Sequence, residues 1–179
     1  MFVGRVLVWA RRNDQTIEEL RSVVDLNPNF WYAHDFLGRA YQQTGRLPEA
    51  LAEYQKALEL EKDNAENWSN LGQAYAVSGQ RGEAQKIIAH LKEVSASEYI
   101  APYNLAMIHA GLGDADQAFA WLDRADDERS GFLAFYLNTE ARWDRFRADS
   151  RFGDLVRRIG LSPRLGHTTD RDWTVIGPA

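Results

Sequence analysis

Asn70, Asn104 and Asn138 stand 34 residues apart along the chain. A primary amide is both a donor and an acceptor, so a column of them can pair with the N–H and C=O of a peptide backbone whatever its sequence. Peptide recognition is the chemistry that this spacing offers, and the other polar groups offer little else. The histidines, His34, His90, His109 and His167, do not pair at metal-ligand spacing with one another or with carboxylates. The chain has no cysteine, which excludes disulfides, thiolate metal sites and a cysteine nucleophile. It contains no phosphate loop, dinucleotide fingerprint or Gly-x-Ser-x-Gly elbow. The run GDAD at Gly113–Asp116 is a helix start rather than a calcium loop, because Gln117 and Ala118 occupy later ligand positions. The run DRADDERS, residues 123–130, reads as a solvated helix end. Trp68 and Trp121 read as packing residues rather than a ligand cage. No nucleophile, base and orienting group come together. The expectation is a protein without enzymatic activity, metal or cofactor.

Composition narrows the partners. The 179 residues are 45% hydrophobic and 12% aromatic, enough to bury a core. The net charge of −5 argues against a nucleic-acid surface, which needs a basic stripe to displace counterions. No stretch reaches the roughly 18 apolar residues of a membrane span. The opening apolar run is broken by Arg5 and runs into Arg11 and Arg12, unlike a signal peptide. A soluble, cytoplasmic protein is expected.

The elements that must position the asparagines follow from the same period. Leu37, Gly38, Tyr41, Gly45 and Ala50 recur 34 residues on as Leu71, Gly72, Tyr75, Gly79 and Ala84. A third copy reads Leu105, Ala106, His109, Gly113 and Ala118. A fixed period of this length marks a solenoid. Within each copy, spacings of three and four put Leu37, Gly38 and Tyr41 on one helix face. Gly38, Gly72 and Ala106 are small where a second helix crosses closely, and Ala50, Ala84 and Ala118 answer them from that helix. Gly45, Gly79 and Gly113 suit a left-handed helix stop. Pro48 fits a first helical turn, and Asp114 is placed to cap the next helix. The expected helices are 31–44 and 48–61, 65–78 and 82–94, then 102–112 and 115–127, the fifth starting at Pro102. Asp14 to Asn29 holds one further second helix, and the opening ten residues stand where its partner belongs. Phe132 to Asn138 starts a unit that then breaks pattern. Ser150 to Gly160 reads as a terminal helix, capped by Ser150 or Asp149 and stopped by Gly160.

These residues resemble tetratricopeptide repeats. The family's pattern is met at Trp68, Leu71, Gly72, Tyr75 and Ala84, and at Leu37, Gly38, Tyr41, Ala50, Tyr54 and Ala57. It departs at His109, and at Lys62, Ala96 and Ser130 where a unit-ending proline is usual. The resemblance implies an all-α, right-handed superhelical solenoid of antiparallel helix pairs. Its expected layout is a truncated unit 1–30, repeats 31–64, 65–98 and 99–132, a cap 133–161 and a mobile tail 162–179. It implies a concave groove lined by the first helices. Tyr32, Phe36, Arg39 and Gln43 fall on that face in the first repeat, then Glu66, Asn70, Gln73 and Val77, then Tyr103, Asn104, Met107 and Gly111. The column Asn70, Asn104 and Asn138 resembles the asparagine ladder with which some members hold extended peptides, interrupted at Phe36. The family's carboxylate clamp is not matched, because Asp35 and Glu66 put negative charge where it needs positive.

The resemblance therefore implies a scaffold that binds an extended peptide or a segment of another protein. The second half is also similar to the carboxy-terminal region of bacterial signalling proteins, in which such repeats follow a winged-helix, nucleotide cyclase or Ser/Thr kinase domain. A regulatory module of that kind is the alternative. Met1 falls inside a helix of the repeat, which fits either a missing amino-terminal part or a free-standing array with a short first helix. Phe2, Val6 and Trp9 would then form an apolar patch suited to self-association or to an upstream domain.

Overall fold

The computed structural model describes residues 13–137 and 139–161. All regular structure among them is helical: α1 (Asn13–Leu26), α2 (Trp31–Gln43), α3 (Leu47–Leu60), α4 (Ala65–Val77), α5 (Arg81–Val94), α6 (Pro102–Leu112), α7 (Ala115–Asp127), α8 (Gly131–Tyr136), a 3₁₀ turn (Ala141–Phe146) and α9 (Ser150–Arg158). Each of the six expected repeat helices is met to within one residue at either end. The opening ten residues, with Phe2, Val6 and Trp9, lie outside the described residues, as do Asn138 and the tail 162–179.

Local chemistry explains the ends. Gly45, Gly79 and Gly113 have φ of 77°, 82° and 78°, the left-handed stop that closes each first helix. The Asn64 side chain accepts from the Glu66 and Asn67 amides and starts α4; Asp114 and Asp149 do the same for α7 and α9 through Gln117 and Arg151. Between the two candidate caps of α9, the structure selects Asp149.

Packing follows the columns. α2 pairs with α3, α4 with α5 and α6 with α7, and each pair stacks on the next. A Cβ placed on Gly38 would sit 2.8 Å from the Tyr54 ring, and one on Gly72 would sit 2.9 Å from Ile108 Cδ1. These are the close crossings that the small residues allow. One apolar cluster runs from Ile17 and Leu20 to Leu105 and Ile108. A second joins Met107, Phe119 and Leu122 to Leu137, Trp143, Phe146 and Leu155. The segment after α7 thus caps the array by burying aromatic side chains against its last pair. Trp121 lies half-buried between the Lys92 and Arg124 cations, and Trp68, also half-buried, packs on His90.

Candidate functional site

Of the expected groove residues, Arg39, Glu66, Asn70, Tyr103, Asn104 and Met107 come together between α2, α4 and α6, whereas Tyr32, Phe36, Gln43, Gln73, Val77 and Gly111 do not line the cavity there. Arg39, Glu66, Ser69, Asn70, Tyr103, Asn104 and Met107 surround this cavity, closed on its other side by Tyr136, Glu140 and Arg142. Three successive first helices therefore supply one surface, and the chain's own cap lies across it. Phe36, Arg39, Asn70, Gln73, Tyr103, Asn104 and Met107 are all buried, while Tyr32 is half-buried with its ring 4.7 Å from that of Phe36. What remains between face and cap is about 10 Å³, the smallest space that holds a water molecule.

The face is held to the cap by a buried charge network. Arg39 Nε donates to Asp35 Oδ2 at 2.9 Å, Nη2 to Glu66 and Nη1 to Glu140 Oε2 at 3.4 Å. Arg142 Nη2 donates to the same Glu140 oxygen at 3.0 Å, and its Nη1 to Asn70 Oδ1 at 2.8 Å. Asn70 Nδ2 in turn donates to Asp35 Oδ1 at 2.6 Å. The Asn70 amide thus uses its donor and its acceptor, but on two side chains of the protein rather than on a peptide backbone. The backbone carbonyl of Asn104 accepts from Ser69 Oγ at 2.8 Å. Gln73 accepts from Gln42, which also accepts from the Tyr54 hydroxyl. Further along, Trp143 Nε1 donates to the Tyr103 hydroxyl at 2.9 Å, and the Tyr136 ring stacks on Tyr103 at 5.8 Å.

The electrostatics follow from the count of groups. Three carboxylates (Asp35, Glu66 and Glu140) meet two guanidiniums (Arg39 and Arg142). Burial pushes the Asp35 carboxyl above its ordinary value, against the pull of Arg39. Burial also pushes Glu140 up, but the Arg142 and Arg39 cations outweigh it and hold that carboxyl below its ordinary value. The nearby Glu66 carboxylate acts on Asp35 in the same direction as burial. Burial drives the Tyr136 phenol up to about 12, with the Glu66 carboxylate adding to the effect. Among the described residues, no group of three His, Asp or Glu side chains is placed to hold a metal ion. No helix among them is long and apolar enough to cross a membrane.

Glu140, Arg142 and Trp143 escaped the sequence reading. They lie beyond the last copy of the period, where no register says which face they meet. Asp35 was noted only as a charge that spoils a carboxylate clamp. Its pairing with Arg39, four residues on, was the one legible piece of the network.

A family model described as TPR repeat matches residues 38–79, and one described as tetratricopeptide repeat matches residues 69–131. Anaphase-promoting complex subunit 3 of Schizosaccharomyces pombe is 22% identical over 127 residues, which are 70% of this chain and 19% of that protein. Protein O-mannosyl-transferase TMTC1 of Homo sapiens is 34% identical over 89 residues, 50% of this chain and 10% of that protein. The matched region is thus less than a fifth of either relative, and neither is a bacterial signalling protein. With a shared period, left-handed glycine stops, paired helices and two matching family models, residues 38–131 belong to the tetratricopeptide repeat family.

Proposed function

We propose that this chain is a non-enzymatic scaffold that binds an extended segment of another protein along the first helices of its repeats. One observation carries the reading. Glu140 and the start of the 3₁₀ turn lie over α2 and α4, where Glu140 accepts from Arg39 and from Arg142, which also donates to Asn70. The face therefore has the polarity to hold, through side chains, a segment laid across it. On α2 and α4, Tyr32, Gln43 and Val77 are only half-buried, as is Glu66 at the cavity. A partner's segment lies along those positions. Similarity to a subunit named for the anaphase-promoting complex supports a role in assembly.

The test is selection of peptides from a random 12-residue display library on the full chain, followed by titration. Tyr32→Ala combined with Val77→Ser is expected to weaken the selected peptides at least tenfold while the chain stays folded at the assay temperature, as far-UV circular dichroism checks. Undiminished affinity in that variant would remove the first helices from the binding surface.

A further inference from the structure

Among the described residues, the exposed large apolar side chains are Leu26, Tyr99 and Phe135, and two of them wall one cavity. Tyr99 is 70% exposed and Phe135 46%. They face a trough of about 450 Å³ between the α5–α6 linker and the α7–α8 turn, which Arg129, Ser130 and Tyr136 complete. That volume takes one or two side chains of a peptide. Walls this exposed do not enclose a small molecule, whose pockets bury most of its surface. They suit a chain passing over.

Two polar groups decide what passes. Glu128, also in the trough, is neutralised by Arg124 at 2.8 Å, whereas Arg129 beside it has no ion-pair partner among the described residues. Ser130 Oγ is buried and without a hydrogen-bond partner. Aromatic walls alone attract cations as readily as apolar groups, but the uncompensated Arg129 repels cations and attracts carboxylates. Arg129 is also the only described non-glycine residue at positive φ, 51°. It closes α7 as glycine closes α2, α4 and α6, its N–H donating to the Asp126 carbonyl and the Ser130 N–H to the Ala125 carbonyl.

We propose that this trough docks an acidic segment of a partner protein, with an aromatic or leucine side chain between Tyr99 and Phe135 and a neighbouring carboxylate on Arg129. The proposal rests on the scaffold reading and adds the partner's chemistry at a second place on the surface. Its site is exposed, so it can be altered without disturbing the core. Arg129→Gly relieves the left-handed strain while removing the charge, which separates binding from stability.

The experiment selects the random 12-residue library on the full chain with the Arg129→Gly chain as counter-target, then measures enriched peptides by fluorescence anisotropy. Enriched peptides are expected to carry Asp or Glu within two residues of an aromatic or leucine. Arg129→Gly, and separately Tyr99→Ser with Phe135→Ser, are expected to weaken them at least tenfold, the first with an unchanged or higher melting temperature. The proposal is overturned if no peptide survives counter-selection, if survivors are neutral or basic, or if phenylacetate alone binds as tightly. Peptides that depend on Tyr32 and Val77 but not on Arg129 would remove the trough and leave the scaffold reading standing. Peptides indifferent to both sets would remove both.

Discussion

At the scale of single residues, two kinds of position matter: those that must be small and those that must be charged. Gly38 is pressed against the ring of Tyr54, which is itself fully buried and has nowhere to go. Gly72 meets the Cδ1 end of Ile108 at 2.9 Å and the Cγ2 methyl of Ile87 at 3.0 Å, also buried, but an aliphatic end yields more readily than a ring. Gly38→Ala is therefore expected to cost about 1–3 kcal/mol, and Gly72→Ala less, a ranking that urea titration checks. The charged case is Glu140. Its folded pKa lies below the ordinary 4.5, so the ionised form stabilises the fold. That contribution is fully present above the unfolded value and disappears as pH falls through the lowered folded value. Glu140→Gln is expected to lower stability by about 3 kcal/mol near neutral pH. The gap from wild type should close as urea midpoints are followed down in pH. A gap of constant size from pH 7 to pH 3 would mean that the charge is not what holds the cap. Asp35 contributes in the opposite direction: with its folded value raised, its ionised form costs stability at high pH, and that cost disappears as pH falls to the ordinary value.

At the scale of elements, caps and burial explain why these helices start and stop where they do. The Asn64 side chain satisfies two otherwise orphaned amides of α4; Asn64→Ala is expected to lose about 1 kcal/mol, read from the thermal midpoint. α6 differs from the other helices in that ten of its eleven residues are buried. It is packed by α4 and α5 on one side, by α7 on another and by the cap over the face that its neighbours leave half-open. A helix covered all round has no polar stripe, and this is why its groove-facing positions could be numbered from the period but not recognised as interior. Tyr103 and Met107 were legible as residues of a first helix. Their burial was not, because the residues that cover them lie outside the repeat.

At the scale of the whole molecule, a solenoid is a chain of nearest-neighbour contacts, and the buried charge network departs from that rule. It ties Arg39 in the first full repeat to Glu140 in the cap, 101 residues away in sequence. Glu140→Gln with Arg142→Gln should loosen that tie while Trp143 and Leu137 keep the cap seated. Amides of residues 141–158 are then expected to exchange with solvent about tenfold faster, with α2 to α5 unchanged. Equal acceleration throughout would show that repeats and cap open as one unit.

The sequence by itself determined the helix pairs, their ends, the close crossings and the left-handed stops. Each of these depends on residues near one another in the chain or one period apart, and local geometry acts at that range. Only the tertiary structure decided which polar groups face water. Asn70 has the same type and spacing as an amide waiting for a peptide, yet its donor and acceptor are used by Asp35 and Arg142. Tyr99 and Phe135 look like ordinary aromatics in the sequence and stand exposed in the fold. Burial and charge pairing depend on what comes to lie on top, and in this chain that is a non-repeating segment whose position no period can specify.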